Sequence, residues 1–184
     1  MGNVKKPTTV KIMNKKTKTL AIAAGAKTEG EFAFYGNLVG ACTTLKKQVG
    51  KMNKIEMPFA VQQLKGMILR YSFLLERGRF FEPQMLPKGF KRKKAKECYG
   101  NSFTLATSRE GMAYCEGIVV TELGEERTTE IDHGWCVTED GKVIDVTLER
   151  PGLTYFGAVF FKEEMMDVDE LPLIYNIIGK QIEE

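Results

Sequence analysis

Ile131-Asp-His-Gly-Trp-Cys-Val-Thr138, Glu139-Asp-Gly141 and Lys142-Val-Ile-Asp-Val-Thr147 are consecutive, and their reading decides the fold. Two arms rich in β-branched and aromatic residues flank an Asp-Gly turn, which predicts a β-hairpin. Side chains alternate along a strand, so His133 and Trp135 share one face while Gly134 and Cys136 share the other. The loop length then decides what meets His133. A two-residue loop at Asp140-Gly141 pairs Asp145 with Cys136 and turns the carboxylate away. A three-residue loop, Glu139-Asp140-Gly141 with Gly141 left-handed, pairs Asp145 with Trp135. Asp145 then lies diagonally from His133 on the same face, within reach of a side-chain hydrogen bond.

His133 is the single histidine of the chain. Any thiolate–imidazole chemistry therefore runs through it. Cys98 lies upstream and Asp145 downstream, and a cysteine, a histidine and a carboxylate are the parts of a thiol nucleophile with its base and orienter. Cys98 opens a predicted helix that runs to about Arg109, with Phe103, Leu105 and Ala106 available to pack and Gly111 as the stop. A cysteine in the first turn sits against the partial positive charge of unpaired N–H groups, which favours the thiolate.

Working outward, Ala113–Thr121 and Tyr155–Phe161 read as further strands and Leu171–Ile182 as a closing helix. Upstream, Pro58 opens a helix in which Val61, Leu64, Ile68, Leu69, Phe73 and Leu75 recur at helical intervals, and Arg77-Gly78 ends it. Phe80–Lys96, broken by Pro83, Pro87 and Gly89, is an irregular segment leading to Cys98. Residues 7–24 alternate around Asn14-Lys15-Lys16 and predict a hairpin, with Thr8, Val10 and Ile12 on one arm and Leu20 and Ile22 on the other. Gly25–Gly36 reads as a loop. Leu38–Lys54 has mixed helical spacing interrupted by Gly40 and Gly50. A helix followed by an antiparallel sheet is an α+β plan. We expect one compact domain, with residues 1–90 as an N-terminal extension packing on a core at 91–184.

The 184 residues are 43% hydrophobic and 28% charged, the composition of an ordinary globular protein. No apolar run approaches the roughly 18 residues of a membrane span, so no membrane association is expected. The first residues lack the apolar core of a signal peptide, and Lys6 stands where a myristoylation signal needs Ser or Thr. Four cysteines without a secretion signal read as reduced thiols in a cytoplasm. The net charge is +3, and six of the nine residues Lys88–Lys96 are basic. Such a run is usually a solvated loop; it also fits an acidic partner or the phosphates of a nucleic acid. Phe90 is the lone aromatic within it, which gives no platform for stacked bases.

Cys98-Tyr-Gly-Asn-Ser-Phe-Thr-Leu-Ala, Gly111-Met-Ala-Tyr-Cys-Glu-Gly117, His133-Gly-Trp135 and Asp140-Gly-Lys-Val-Ile-Asp145-Val-Thr147 together resemble the transglutaminase-like core of the papain-like superfamily. The pattern is also similar to uncharacterised phage and bacterial proteins that share His-x-Trp, Asp-Gly, Asp-x-Thr and Tyr-Phe-Gly, here ending at Tyr155-Phe156-Gly157. The likeness covers residues 97–161 and leaves 1–90 out. Gly134 stands where the family has Ala, Val146 where it has Pro, and the 12-residue separation of His133 from Asp145 is short.

The resemblance implies a helix starting at the cysteine, packed on an antiparallel sheet, and acyl transfer through a thioester with a protein or peptide substrate. Cys98 would attack a carbonyl carbon, His133 would take and return the proton, and Asp145 would hold the imidazole. The backbone N–H of Cys98 would be one oxyanion donor. The second donor is not identifiable from the sequence; Gln84 is a weak candidate by analogy with the papain-type glutamine, and its longer separation from the cysteine argues against it. Trp135 is read as a residue beside the site, and Asn101 and Tyr155 as lining its pocket; these three are the substrate-binding candidates. Cys42, Cys115 and Cys136 are read as core residues. Zinc held by Cys98, Cys115, His133 and Cys136 fits poorly, because no Cys-x-x-Cys pair exists and His133 and Cys136 face opposite sides of a strand. No metal and no cofactor is expected. The rival to an enzyme is an inactive binding protein on the same scaffold, using Lys88–Lys96 toward an acidic partner or nucleic acid.

Overall fold

The computed structural model describes residues 13–52, 57–124, 127–166 and 171–183. Their architecture is α+β. Three helices, α1 (Lys15–Ala23), α2 (Glu29–Lys51) and α3 (Pro58–Arg77), precede the short strand β1 (Arg79–Phe81). After an irregular segment come α4 (Cys98–Ser108), β2 (Met112–Glu122), β3 (Thr128–Thr138), β4 (Val143–Ile144), β5 (Thr154–Phe160), α5 (Lys162–Met166) and α6 (Leu173–Glu183). The strands form one curled sheet in the order β1-β5-β2-β3-β4, with every neighbour antiparallel. No described helix is long and apolar enough to cross a membrane.

Strand parity sorts the core. On β2 and β5, Tyr114, Ile118, Phe156, Ala158 and Phe160 face α2, α3 and α6, where they meet Phe34, Tyr35, Leu74 and Leu173. The alternate residues Cys115, Val119 and Tyr155 turn to the concave face and pack with Phe81, Trp135, Val137 and Val143. Under α4 lies a third cluster of Cys136, Ile144 and Val146. Each core position follows the period of two that strands impose.

Two expectations for the first part of the chain fail. The predicted hairpin over 7–24 is replaced at its second arm by α1, on which Leu20 and Ile22 are exposed; Thr8, Val10 and Ile12 lie outside the described residues. Asn14 does not turn a hairpin. Its side chain accepts from Thr17 N at 2.9 Å and caps the helix, a use of Asn that local alternation cannot distinguish from a turn. The predicted loop Gly25–Gly36 gives way to α2 from Glu29. Thr28 and Glu31 form a capping box, with Thr28 Oγ1 accepting from Glu31 N at 3.2 Å and Glu31 Oε2 accepting from Thr28 N at 2.8 Å. That box outweighs the two glycines in the first turns of α2.

Glu116 fastens α6 to the sheet. Its carboxylate is 1% exposed and accepts Leu173 N at 2.6 Å, Ile174 N at 2.9 Å and the Tyr114 hydroxyl at 2.7 Å. Burial pushes this carboxyl above its ordinary range, although all three donors favour the ion.

Gly157 is where β5 and Trp135 come closest. A Cβ there would stand 2.3 Å from the Glu116 carbonyl oxygen and 2.6 Å from the indole ring of Trp135. Gly157→Ala should therefore lower the unfolding free energy by about 1–3 kcal/mol, the usual cost of overpacking. Urea denaturation reads this as a lower midpoint at an unchanged slope; an unshifted midpoint would show that the strands can part without cost.

Candidate active site

The hairpin loop is the three-residue one. Thr138 N donates to Lys142 O at 3.0 Å, Gly141 N returns to Thr138 O at 2.9 Å, and Gly141 has φ of 79°. The register is Val137↔Val143 and Cys136↔Ile144, which carried one step further sets Asp145 opposite Trp135. The His133 ring meets the carboxylate as that register requires: Nε2 lies 2.9 Å from Asp145 Oδ2, and both side chains are 3% exposed.

Asp145 is held from every side. Oδ1 accepts the backbone N–H of Thr147 at 2.9 Å and of Leu148 at 3.0 Å. Oδ2 accepts, besides the imidazole, the Tyr155 hydroxyl at 2.9 Å. Tyr155 in turn accepts Gly152 N at 3.0 Å. Burial alone would raise the Asp145 carboxyl; the His133 hydrogen bond and charge, with the two backbone donors, overcome it and hold the pKa below the ordinary range. Asp132, adjacent to His133 in the chain, is on the other face, bonded to Arg70 and to the Tyr175 hydroxyl at 2.8 Å, and takes no part in holding the ring.

Cys98 reaches the imidazole because β4 is only two residues long. Beyond Ile144 the edge of β3 is open at Gly134, and α4 docks there. Ser102 Oγ donates to Gly134 O at 2.9 Å, and the Gly134 N–H is directed at the Cys98 sulfur. A Cβ on residue 134 would stand 2.9 Å from Tyr99 Cδ1 and 3.1 Å from Tyr99 Cα. The glycine is thus what allows the first turn of α4 to rest on the strand.

Cys98 as a whole residue is 9% exposed. Burial would raise its pKa, but the hydrogen bond and charge of His133, with the N–H groups of Gly134 and Tyr99, hold it below the ordinary 9.0. Burial would lower His133; its bonds to Asp145 and Cys98 instead raise it from 6.5 to about 9. Since Nε2 is engaged by Asp145, Nδ1 is the nitrogen left for sulfur. The other core thiols behave oppositely: burial pushes Cys136 up to about 12 and Cys115 well above 9.0. Cys136 Sγ points away from the imidazole and donates to Ser102 O at 3.1 Å. Among the described residues no group of three His, Cys, Asp or Glu side chains could hold a metal.

The substrate-binding candidates fare differently. Trp135 and Tyr155 are 0% exposed, so neither is available for contact with a bound molecule. Trp135 lies beside the imidazole at 6.4 Å and 14° between rings, and Tyr155 positions Asp145. Asn101 stays at the surface, its amide donating to Lys94 O at 2.8 Å and Thr147 Oγ1 at 3.2 Å, where it ties the basic segment to the orienter's loop. Gln84 is not free to serve as an oxyanion donor: its Nε2 donates to Val143 O at 2.9 Å and pins β4.

Gly134 and Tyr99 are the site residues that sequence reasoning missed; a glycine inside a strand, which marks a close backbone approach, was the available signal. Comparison of the chain with protein-family models, with curated proteins and with solved structures found no match.

These shifts set the order of thiol reactivity. Thiolate is the nucleophile, so alkylation of Cys98 by iodoacetamide should rise with pH through a midpoint below 9.0, while Cys115 and Cys136 lag. His133→Ala removes the leading favourable contribution and leaves burial in place, so the midpoint should move up. Each unit of movement lowers the rate near neutral pH about tenfold. Peptide mass mapping of labelled protein reads the outcome; equal labelling of three thiols, or an unmoved midpoint in the variant, would break the ion-pair assignment.

Proposed function

We propose that the chain is a thiol-dependent acyl-transfer enzyme on a transglutaminase-like, papain-like scaffold. One observation carries the reading: the 2.9 Å contact of His133 Nε2 with a buried, saturated Asp145, behind a thiol whose pKa is lowered where those of Cys115 and Cys136 are raised. Such an arrangement is expensive to bury and has a chemical use.

The sequence of steps follows from the proton inventory. The lowered Cys98 thiol and the raised His133 ring both favour the thiolate–imidazolium pair, which is the attacking form. Sulfur attacks the carbonyl carbon of an amide, and the oxyanion forms against the first turn of α4. No side chain caps that turn, which supports the backbone N–H of Cys98 as a donor. Imidazolium Nδ1–H protonates the departing amine, the C–N bond breaks and a thioester remains. The now neutral imidazole takes a proton from water or a second amine as it attacks the thioester, and sulfur leaves as thiolate. Water gives hydrolysis or glutamine deamidation; an amine gives transamidation. Asp145 holds the ring throughout and stabilises its charged form.

A thiolate nucleophile and four unpaired cysteines favour a reducing, cytoplasmic setting. The basic segment supports an inactive binding protein as the rival, and one experiment separates the two.

Incubation of the protein with glutamine-containing peptides and hydroxylamine should convert any thioester into a peptide hydroxamate, detected by mass spectrometry. Cys98→Ala should abolish the product. Asp145→Asn, which leaves the ring without its ionic partner, should lower kcat by at least about 10²-fold at unchanged folding. Tyr155→Phe, which deletes one of four donors to Asp145, should cost less. Hydroxamate formation that survives Cys98→Ala, or none across a broad peptide library, would leave the binding reading.

A further inference from the structure

Lys88–Lys96 does not wander in solvent. Lys93 N donates to Val146 O at 2.7 Å, and the Arg92 guanidinium donates to Asp145 O at 3.2 Å and Glu149 O at 2.6 Å. The segment is laced along the loop that carries the orienting carboxylate. Alternation about Arg92 turns Lys91 and Lys93 the other way, toward a groove of about 270 Å³. That volume approaches the low end of the ~300–1,000 Å³ spanned by ligand sites. Phe90, Leu105 and Val146 make an apolar lining, and Lys91, Lys93 and Arg109 are its cations; no carboxylate is among the described residues that line it.

Two of the groove's neighbours belong to the catalytic constellation. Val146 follows Asp145. Asn101, also in the lining, is three residues after Cys98, about 4.5 Å of rise along α4. The groove thus borders the first turn of α4 and the strand end that carries Asp145.

We propose that this groove is a subsite for an acidic segment of a polypeptide substrate, with an aliphatic side chain on Phe90 and Leu105 above the buried Val146, and flanking carboxylates on Lys91, Lys93 and Arg109. The occupant's being a substrate rests on the acyl-transfer reading; its being an acidic peptide rests on the groove alone. Charge complementarity favours an anion, and the apolar lining favours a peptide over a nucleic acid. One face of the single aromatic ring is already covered by the Arg109 guanidinium at 4.1 Å from its centroid, which disfavours a stacked base. Two other cations of the run are engaged elsewhere, Arg92 on backbone carbonyls and Lys94 on Glu97.

The test uses the full chain carrying Cys98→Ala, so that no turnover intervenes. The probe is a fluorescein-labelled peptide in which leucine is flanked by glutamates, and binding is read as anisotropy. Lys91→Glu with Lys93→Glu, and separately Arg109→Glu, are exposed substitutions whose folding circular dichroism checks. Each should weaken binding at least about tenfold, and added salt should weaken the unaltered groove. Undiminished binding by the charge-reversed proteins overturns the subsite. So does the absence of binding, or an oligonucleotide of equal charge that displaces the peptide at lower concentration. Groove-dependent binding without hydroxamate trapping sinks the enzyme and keeps the peptide site; trapping without groove-dependent binding does the reverse.

Discussion

The pairing of β4 with β3 stops at Cys136↔Ile144, and beyond it the N–H and C=O of Gly134 are left unclaimed by β4. Buried backbone polar groups must find partners. Helix α4 covers that edge, Ser102 Oγ taking the carbonyl while the Gly134 N–H helps to lower the pKa of the Cys98 thiol. A longer β4 would satisfy that edge itself, and the thiol would have no way past the strand to the imidazole on its far face. The requirement propagates outward: residue 134 must lack a Cβ, Gln84 must clamp the short strand at Val143 O, and the chain after Ile144 must turn so that Asp145 looks back at His133.

Burying three ionisable groups together costs several kcal/mol per ion before any interaction is counted. Four hydrogen bonds to Asp145, at about 1.5–3 kcal/mol each for bonds to a charged group, are of the size needed to offset it. Tyr155 and Trp135 enter here as members of the concave core and not as substrate contacts. Burial and the neighbouring carboxylate push the phenol of Tyr155 upward, so it remains a donor across the working range.

Much of the C-terminal half was legible. A period of two across 131–138, an Asp-Gly turn and a strand-parity argument were enough to tie loop length to the facing of Asp145, because register in a hairpin is set by its turn. Cys98 as the first residue of a helix was equally readable. The opening helices were not, since Asn14 serves turns and caps alike, and Gly30, Gly36 and Gly40 obscured the capping box at Thr28 and Glu31. The burial of Trp135 and Tyr155 was hidden for a different reason. It depends on the curl of the sheet, a long-range property absent from any window of residues. Glu116 as the anchor of α6 likewise joins positions 57 apart.

Asp145 has four lone-pair directions and four donors, so it has no room for a passing water or cation. The imidazole it grips cannot flip without breaking a charged bond inside the core. Ring orientation is thereby decided once, during folding, and in the proposed chemistry each turnover would begin from that same orientation, with the proton on Nδ1 as the part that moves.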